Sequence, residues 1–104
     1  MISVICIIKN SIFKFVEIKG HSDYDKVGKD IVCSAVSAIT NGTFNFINEK
    51  YQGCYETNLQ KNKIIFNFIK FDKYCNLSIE LMVYQLENIS LSYSNYLKIS
   101  KKKC

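Results

Sequence analysis

The chain has 104 residues, of which 48% are hydrophobic and 13% aromatic, so we expect one folded domain spanning residues 1–104. Its net charge of +5 permits contact with an acidic partner but does not require one. No apolar stretch approaches the length of a membrane span, and the opening MISVICIIKN has no basic region before its short apolar run, so it is not expected to be a secretory signal. These features predict a cytoplasmic protein without membrane contact.

The first two apolar segments, ISVICII and SIFKFVEIK, are typical of β-strands. Asn10 and Ser11 between them fit a tight turn, which predicts a hairpin. Within the second strand, Phe13 and Phe15 are expected on one face. The polar residues 20–29, bounded by glycines, predict a loop.

A helix is predicted over residues 30–49, with small and apolar side chains along one arc and polar ones along the opposite arc. The inner arc contains Ile31, Ala35, Ala38, Ile39 and Gly42. The outer arc contains Asp30, Cys33, Ser37, Thr40 and Asn41. Asp30 is in addition a suitable cap for the helix N-terminus.

The second half of the chain predicts strands at 51–59 and 63–71, with Phe66 and Phe68 on one face. A helix over 72–92 follows, and YLKIS predicts a last short strand, whereas the tail KISKKKC is expected to be frayed and solvated. The order ββαββα(β) favours an α+β fold, an antiparallel β-sheet packed with two α-helices. The apolar stripe of the second helix consists of Cys75, Ile79, Met82, Leu86, Ile89 and Tyr93.

The five cysteines are widely spaced and include no CxxC pair. Because a reducing compartment keeps thiols free, we expect no disulfide, and with one histidine in the chain we expect no metal site. Most free cysteines are buried and inert, and this is the expectation for Cys6, Cys54 and Cys75.

Cys33 differs because it lies in the first turn of the predicted helix, twelve residues after His21, the single histidine. Backbone N–H groups at a helix N-terminus favour a thiolate, and a nearby imidazolium favours it further. The thiolate is the nucleophile in cysteine catalysis, and imidazole exchanges the protons. The same helix amides are placed to receive an oxyanion. The pair therefore indicates nucleophilic catalysis.

Neighbouring residues have both a functional and a structural interpretation. Asp30 is a candidate to orient the imidazole ring, or simply the helix cap. Gly20 and Gly28 are candidate hinges for loop closure over a bound chain, and Gly28 equally fits a plain turn. Ser37, one helical turn beyond the cysteine, is a candidate substrate contact or a solvated helix residue.

The string GH, a polar loop and then GKDIVCSAVSAIT resembles the signature of the ribosomal-processing cysteine protease family of bacteria, called Prp. The similarity extends to the opening MISV and to the closing YLKI after an amphipathic helix. The matching positions are Gly20, His21, Gly28, Asp30, Ile31, Val32, Cys33 and Ser37.

By that resemblance, Cys33 is the nucleophile and His21 the general base and acid. The family removes the N-terminal extension of a large-subunit ribosomal protein, the twenty-seventh of its series, in support of ribosome assembly. The target ends in paired phenylalanines before a small residue, which implies a hydrophobic cleft beside the cysteine, with Tyr24 at its wall. A homodimer without cofactor is also implied. Ser22 and Ser34 depart from the pattern, which usually has alanine at both positions.

Two other functions remain open at the level of the sequence. A non-enzymatic ribosome- or RNA-binding module would use the positive charge, the tail lysines and tyrosines such as Tyr51 and Tyr55 on a sheet face. Nucleic acid is not expected as a direct ligand, because the chain has no RNA-binding motif. A redox-sensing thiol at Cys33 would need a resolving cysteine, and none is adjacent in sequence.

Overall fold

The computed structural model describes residues 1–26 and 28–104, so that Val27 of the predicted loop lies outside the described residues. The order of elements is ββαββαβ, which confirms the predicted α+β class and the final strand. The elements are β1 (Ile2–Lys9), β2 (Ile12–Gly20), α1 (Ile31–Lys50), β3 (Tyr55–Gln60), β4 (Lys63–Phe68), α2 (Lys73–Ser92) and β5 (Leu97–Lys103).

The described strands form one sheet in the order β3-β4-β2-β1-β5. Three of the pairings, β1 with β2, β2 with β4 and β3 with β4, are antiparallel. β5 runs parallel to β1, so the sheet is mixed, although mostly antiparallel. β1 and β2 thus lie at the centre, and the chain carries His21 directly from the end of a central strand into the loop.

The predicted hairpin is confirmed, with Asn10 and Ser11 at φ 52° and 64°, the positive values of a type I′ turn. The prediction that Phe13 and Phe15 share a face was wrong. Phe13 pairs with Ile8 and is buried, whereas Phe15 pairs with Ile7 across a register shift. A β-bulge adds one residue to the strand and so reverses the alternation of side chains.

Both helices pack against each other and against one face of the sheet, and together they enclose a single cluster of buried residues. The sheet contributes alternate residues of its central strands, such as Val4, Cys6 and Val16. The predicted stripe of α2 is confirmed at Cys75, Ile79, Met82 and Leu86, which are fully buried, while Ile89 and Tyr93 pack at its edge. Neither helix of the described chain is long and apolar enough to cross a membrane.

The predicted arcs of α1 were rotated. Ile31 and Ala38 of the predicted inner arc are exposed, and Thr40 of the predicted outer arc is 2% exposed. The buried residues are Val32, Val36, Thr40 and Ile47, at spacings of four, four and seven. Thr40 tolerates burial because its hydroxyl donates to the Val36 carbonyl oxygen. This rotation brings Cys33 to the edge of the helix–sheet contact, where its side chain is half-buried.

β3 begins four residues later than predicted because the chain first ends α1. The N–H of Tyr51 donates to the Ile47 carbonyl oxygen, and the N–H of Cys54 donates to the Tyr51 carbonyl oxygen. β4 ends at Phe68 rather than at residue 71, and Asp72 then caps α2.

The prediction of a frayed tail was wrong, because the lysine-rich end forms β5. Its pairing with β1 runs from Ile2 opposite Leu97 to Ile8 opposite Lys103, and the Cys104 N–H donates to the Ile8 carbonyl oxygen. Leu97 is fully buried and anchors the strand. Lysines on an edge strand oppose further strand pairing, so this composition is compatible with an ordered edge.

Candidate active site

The N-terminus of α1 is capped by Asp30, the one buried charged residue among the described side chains. Its Oδ1 accepts a hydrogen bond of 2.9 Å from the Cys33 N–H, and its carbonyl oxygen accepts from the N–H and the hydroxyl of Ser34. This is the capping role that the sequence offered for Asp30. It fixes the first turn of the helix around the cysteine.

The second carboxylate oxygen of Asp30 holds the loop. Oδ2 accepts from the Ser22 hydroxyl, from the Tyr24 N–H at 3.1 Å and from the Asp25 N–H at 3.5 Å. Burial raises the pKa of Asp30, but the hydrogen bonds from Cys33, Ser22, Asp25 and Tyr24 outweigh it and lower the pKa from 3.8 to about 2. Asp30 is therefore a carboxylate at neutral pH.

The loop begins at Gly20, which has a φ of 103°. A Cβ atom there would lie 2.6 Å from the Met1 carbonyl oxygen, so only glycine fits. The Gly20 N–H donates to the Asn62 carbonyl oxygen, which ties the start of the loop to the turn between β3 and β4. Gly28 also has a positive φ, 88°, but a Cβ atom there would meet nothing within 4 Å. At Gly28, therefore, the positive φ favours glycine, whereas the space around it would admit a side chain.

The Cys33 sulfur faces Ser22. The Ser22 N–H donates to Sγ at 3.3 Å, and the Ser22 Oγ lies 3.2 Å from Sγ. The Cys33 N–H, one of the amides that sequence reasoning offered to an oxyanion, is already bound to Asp30. An oxyanion at this position would compete with that carboxylate for the amide.

His21 is exposed, in contrast to its buried neighbour Ser22. Within the described residues, its ring forms no hydrogen bond with Cys33 or Asp30. His21 and Cys33 nevertheless line the same two cavities. Both side chains therefore lie at one site, and no ion pair joins them among the described residues.

The larger of these two cavities, the main cleft, has a volume of about 310 Å³ and lies between α1 and the sheet. Its floor is apolar and its rim is polar. The floor is formed by Ile2, Ile18, Val36 and Ile64. The rim includes Asn41, Gln60, Asn62 and Lys63. A groove of this character suits an extended peptide with an apolar side chain.

The second cavity, the loop cleft, has a volume of about 280 Å³ and is lined chiefly by loop residues, among them Asp23, Asp25 and Gly28. Ser37 lies on the wall of the main cleft. Tyr24 lines neither cavity, in contrast to the place at the cleft wall that the resemblance implied. Its ring packs edge-on against Tyr93 and Tyr96, with centroids 5.5 and 5.0 Å apart. These contacts hold the loop against the end of α2 and the start of β5.

The remaining cysteines divide as predicted into buried and exposed. Cys6, Cys54 and Cys75 are buried, and burial raises the pKa of Cys6 to about 11 and that of Cys75 to about 12. Both thiols are thus protonated and unreactive at neutral pH. Cys104 is exposed. Among residues 1–26 and 28–104, no three His, Cys, Asp or Glu side chains are grouped to hold a metal ion.

The RNA-stacking surface suggested for Tyr51 and Tyr55 is not formed. Tyr55 is 5% exposed, and its hydroxyl donates to the Phe13 carbonyl oxygen at 2.6 Å. Tyr51 is half-buried and packs against Phe46.

Sequence reasoning gave no role to Ser22 or to the wall of the main cleft formed by residues 59–64. Ser22 was visible as a polar residue in place of alanine, but its contact with the sulfur depends on the loop conformation. The wall lies about thirty residues from Cys33 along the chain and only the sheet pairing brings it close.

We predict that Asp30→Ala lowers the free energy of unfolding by about 1 to 2 kcal/mol at pH 7, the usual cost of losing a helix cap. Because the folded-state pKa of Asp30 is depressed, this stabilisation is present above about pH 4 and disappears as the pH falls from 3.8 towards 2. Urea denaturation at pH 7 and at stepwise lower pH measures both effects.

The matched control is Asp72→Ala, which removes the cap of α2, where Asp72 accepts from the Tyr74 and Cys75 N–H groups. It should destabilise the protein without changing the rate at which iodoacetamide modifies Cys33. Asp30→Ala should change that rate. Equal modification rates in the two variants would contradict the assignment of Asp30 as the group that organises the site.

The chain matches the cysteine protease Prp family over residues 1–98. No curated protein matches it. Among solved structures, it is similar to the essential ribosomal processing protease Prp from S. aureus in complex with a covalently linked product peptide. That similarity has a TM-score of 0.91 and 23% identity, and covers 98% of this chain and 100% of the other.

The same S. aureus protease in complex with a substrate peptide aligns with a TM-score of 0.84 and 22% identity, covering 98% of this chain and 100% of the other. SMU.848 from Streptococcus mutans aligns with a TM-score of 0.78 and 19% identity, covering 100% of this chain and 96% of the other. At identities below 25%, the TM-scores show a shared fold alone, whereas the family match rests on the sequence and extends over residues 1–98. The chain therefore belongs to the cysteine protease Prp family.

Proposed function

We propose that residues 1–104 form a single cytoplasmic cysteine-protease domain that removes the N-terminal extension of a large-subunit ribosomal protein, the twenty-seventh of its series. The observation that carries the proposal is that His21 and Cys33 line the same two cavities at the start of α1. Membership of a cysteine protease family supports it, and the S. aureus relative was solved with a substrate peptide. The cytoplasm is where ribosomes are assembled and where free thiols stay reduced.

Cys33 is the nucleophile in this proposal and His21 is its acid and base. Cys33 is half-buried at the edge of the main cleft, and the thiols of Cys6 and Cys75 are held protonated by burial. His21 is exposed and lines the same cavities as Cys33, so in this proposal its side chain changes rotamer to approach the sulfur. Binding of the peptide then completes the pair, as often occurs in active sites that are loose without substrate.

The reaction follows from these two groups. The Cys33 thiolate attacks the scissile carbonyl carbon, and the C–N bond breaks as the His21 imidazolium gives its proton to the leaving amine. This step releases the mature ribosomal protein and leaves the extension as a thioester on Sγ. Water then attacks the thioester carbonyl, His21 accepts its proton, and the C–S bond breaks to release the extension with a free carboxyl group.

The main cleft supports a substrate with apolar residues before the cleaved bond. Its floor of aliphatic side chains, including Ile18, Val36 and Ile64, offers the contact that a phenylalanine needs. Its rim, including Asn62 and Lys63, offers polar side chains that can hydrogen-bond to the backbone of a bound peptide.

We expect the wild-type protein to cut a peptide copy of the extension after its paired phenylalanines, with both products visible by mass spectrometry. Cys33→Ala should abolish cleavage, and Cys33→Ser should nearly abolish it because a hydroxyl is a weak nucleophile at ordinary pH. His21→Ala should lower kcat by about 100- to 10,000-fold.

Cys104→Ala is the matched control for removal of a thiol, because Cys104 is exposed and lies outside both cavities. It should cut at the wild-type rate. A peptide with alanines in place of the two phenylalanines should be a poor substrate. Undiminished cleavage by Cys33→Ala, or no cleavage by the wild type, would reject the proposal.

The proposal includes a homodimer, and the outward face of α2 is the surface that supports it. Tyr74, Leu77, Leu81, Tyr84 and Leu91 are between 54% and 83% exposed. Together with Asn88 they follow spacings of three and four residues along the helix, the pattern of a coiled-coil seam. The opposite face of α2 is already in the core.

A second copy of the same helix fits this seam because a two-fold axis pairs a surface with itself. With the two helices antiparallel, Leu81 would lie opposite Tyr84 of the other protomer, and the reverse contact would form by symmetry. The partner's helix would thus cover a contiguous apolar face that a monomer leaves in water.

We therefore predict that sedimentation equilibrium finds a wild-type dimer and a Leu81→Glu monomer. The substitution lies at an exposed position, so thermal unfolding should still show a folded protein. Ile5→Glu is the control, since Ile5 is 41% exposed on the open face of the sheet, and it should leave the dimer intact. A dimer that survives Leu81→Glu, or one that Ile5→Glu dissociates, would contradict this interface.

A further inference from the structure

Ser22 contacts the reactive centre through both its backbone and its side chain. It is 2% exposed, its N–H donates to the Cys33 Sγ at 3.3 Å, and its Oγ lies 3.2 Å from the same sulfur. Its hydroxyl is also hydrogen-bonded to the Asp30 Oδ2. One buried hydroxyl therefore joins the sulfur to the carboxylate that caps α1.

The chemistry of Asp30 fixes the direction of these hydrogen bonds. An ionised carboxylate only accepts, and a serine hydroxyl has a single proton. A hydrogen bond to a charged acceptor is about twice as strong as one between neutral groups. The Ser22 hydroxyl therefore donates its hydrogen bond to the Asp30 carboxylate rather than to the sulfur. The lone pairs of Oγ then face Sγ, and the thiol proton completes the chain from Sγ to Oγ to Oδ2.

We propose that Ser22 is a positioning residue whose hydroxyl holds the resting Cys33 sulfur as a neutral thiol on the side of Asp30. Removal of the thiol proton would leave the sulfur anion facing the lone pairs of Oγ with a carboxylate behind it. The resting site thus restrains its own nucleophile, and a bound peptide releases it by letting Sγ turn towards the imidazole. This inference rests on the proposed role of Cys33 as the nucleophile.

The other charged groups near the sulfur do not make the contact that the Ser22 hydroxyl makes with Sγ. The titratable side chains that line the two cavities are His21, Asp23, Asp25 and Asp30 of the loop and Lys63 of β4. The Met1 amino group is paired with Asp23 at 3.4 Å. Ser22→Ala leaves all of these groups and the Ser22 backbone N–H in place. The substitution therefore isolates the contribution of one hydroxyl.

The test is the pH dependence of iodoacetamide alkylation at Cys33, measured by peptide mass spectrometry in a Cys104→Ser background. Cys6, Cys54 and Cys75 are buried and should not react in the folded protein. Ser22→Ala should move the midpoint of the profile to lower pH and raise the rate below that midpoint about three- to tenfold, the effect of one hydrogen bond. The plateau rate should fall slightly, because a more acidic thiol gives a weaker nucleophile.

Ser34→Ala is the matched control. Ser34 is in the same first turn, and its hydroxyl donates to the Asp30 carbonyl oxygen at 3.0 Å rather than contacting the sulfur. Its profile should match that of the parent protein. An unchanged midpoint in Ser22→Ala, or one moved to higher pH, would overturn the inference, since the latter would mean that the hydroxyl stabilises the anion.

A second measurement needs no Ser22 variant. The infrared S–H stretch of Cys33, obtained as the difference between the wild type and Cys33→Ala at neutral pH, should be present and lowered in frequency by hydrogen bonding. Absence of this band, or a band at the frequency of a free thiol, would also overturn the inference. Neither measurement uses a peptide substrate, so a failure of the proteolysis proposal and a failure of this one are distinguishable.

Discussion

The site depends on one buried carboxylate. Asp30 accepts hydrogen bonds from residues that precede it and from one that follows it in the chain. Ser22 and Tyr24 of the loop donate to it, and so does the Cys33 N–H in the first turn of α1. A carboxylate shielded from water without partners is unfavourable, and the donors around Asp30 offset that cost. The loop and the helix are thereby fixed relative to each other at the position of the sulfur.

The sheet supplies the rest of the site. The Gly20 N–H bonds to Asn62 in the β3–β4 turn, and the pairing of β2 with β4 places Ile18 beside Ile64 under the main cleft. Tyr24 holds the other end of the loop against Tyr93 and Tyr96. The main cleft therefore has the sheet on one side, and beside it a loop that is held by its hydrogen bonds to Asp30 and by the tyrosine contacts.

Much of this arrangement could be predicted from the sequence because the signals are local. The order of elements follows from turn residues and periodicity, as at Asn10-Ser11, and the cap at Asp30 follows from the residue type before a helix. The stripe of α2 was correct because a single side of that helix faces the core. Its outward face carries a second apolar series, which the same periodicity does not assign to a partner.

The errors arose where the answer depends on distant parts of the chain. The bulge in β2 reverses Phe13 relative to Phe15, and no property of the two residues records it. The predicted arcs of α1 were rotated because packing against α2 and the sheet decides which face of the helix is buried, and Thr40 tolerates that burial through a hydrogen bond to its own helix. The tail forms β5 because β1 has a free edge with which it can pair, and because Leu97 is buried in the core. Ser22 acquires its role only when the loop brings it onto Cys33.

The central claim, that Asp30 remains a carboxylate because the loop and the helix both donate to it, is tested most directly by NMR. The ¹³C chemical shift of the Asp30 side-chain carboxyl should titrate with a midpoint near the depressed pKa of about 2, and should be constant above pH 4. A midpoint at or above the ordinary value of 3.8 would contradict the account.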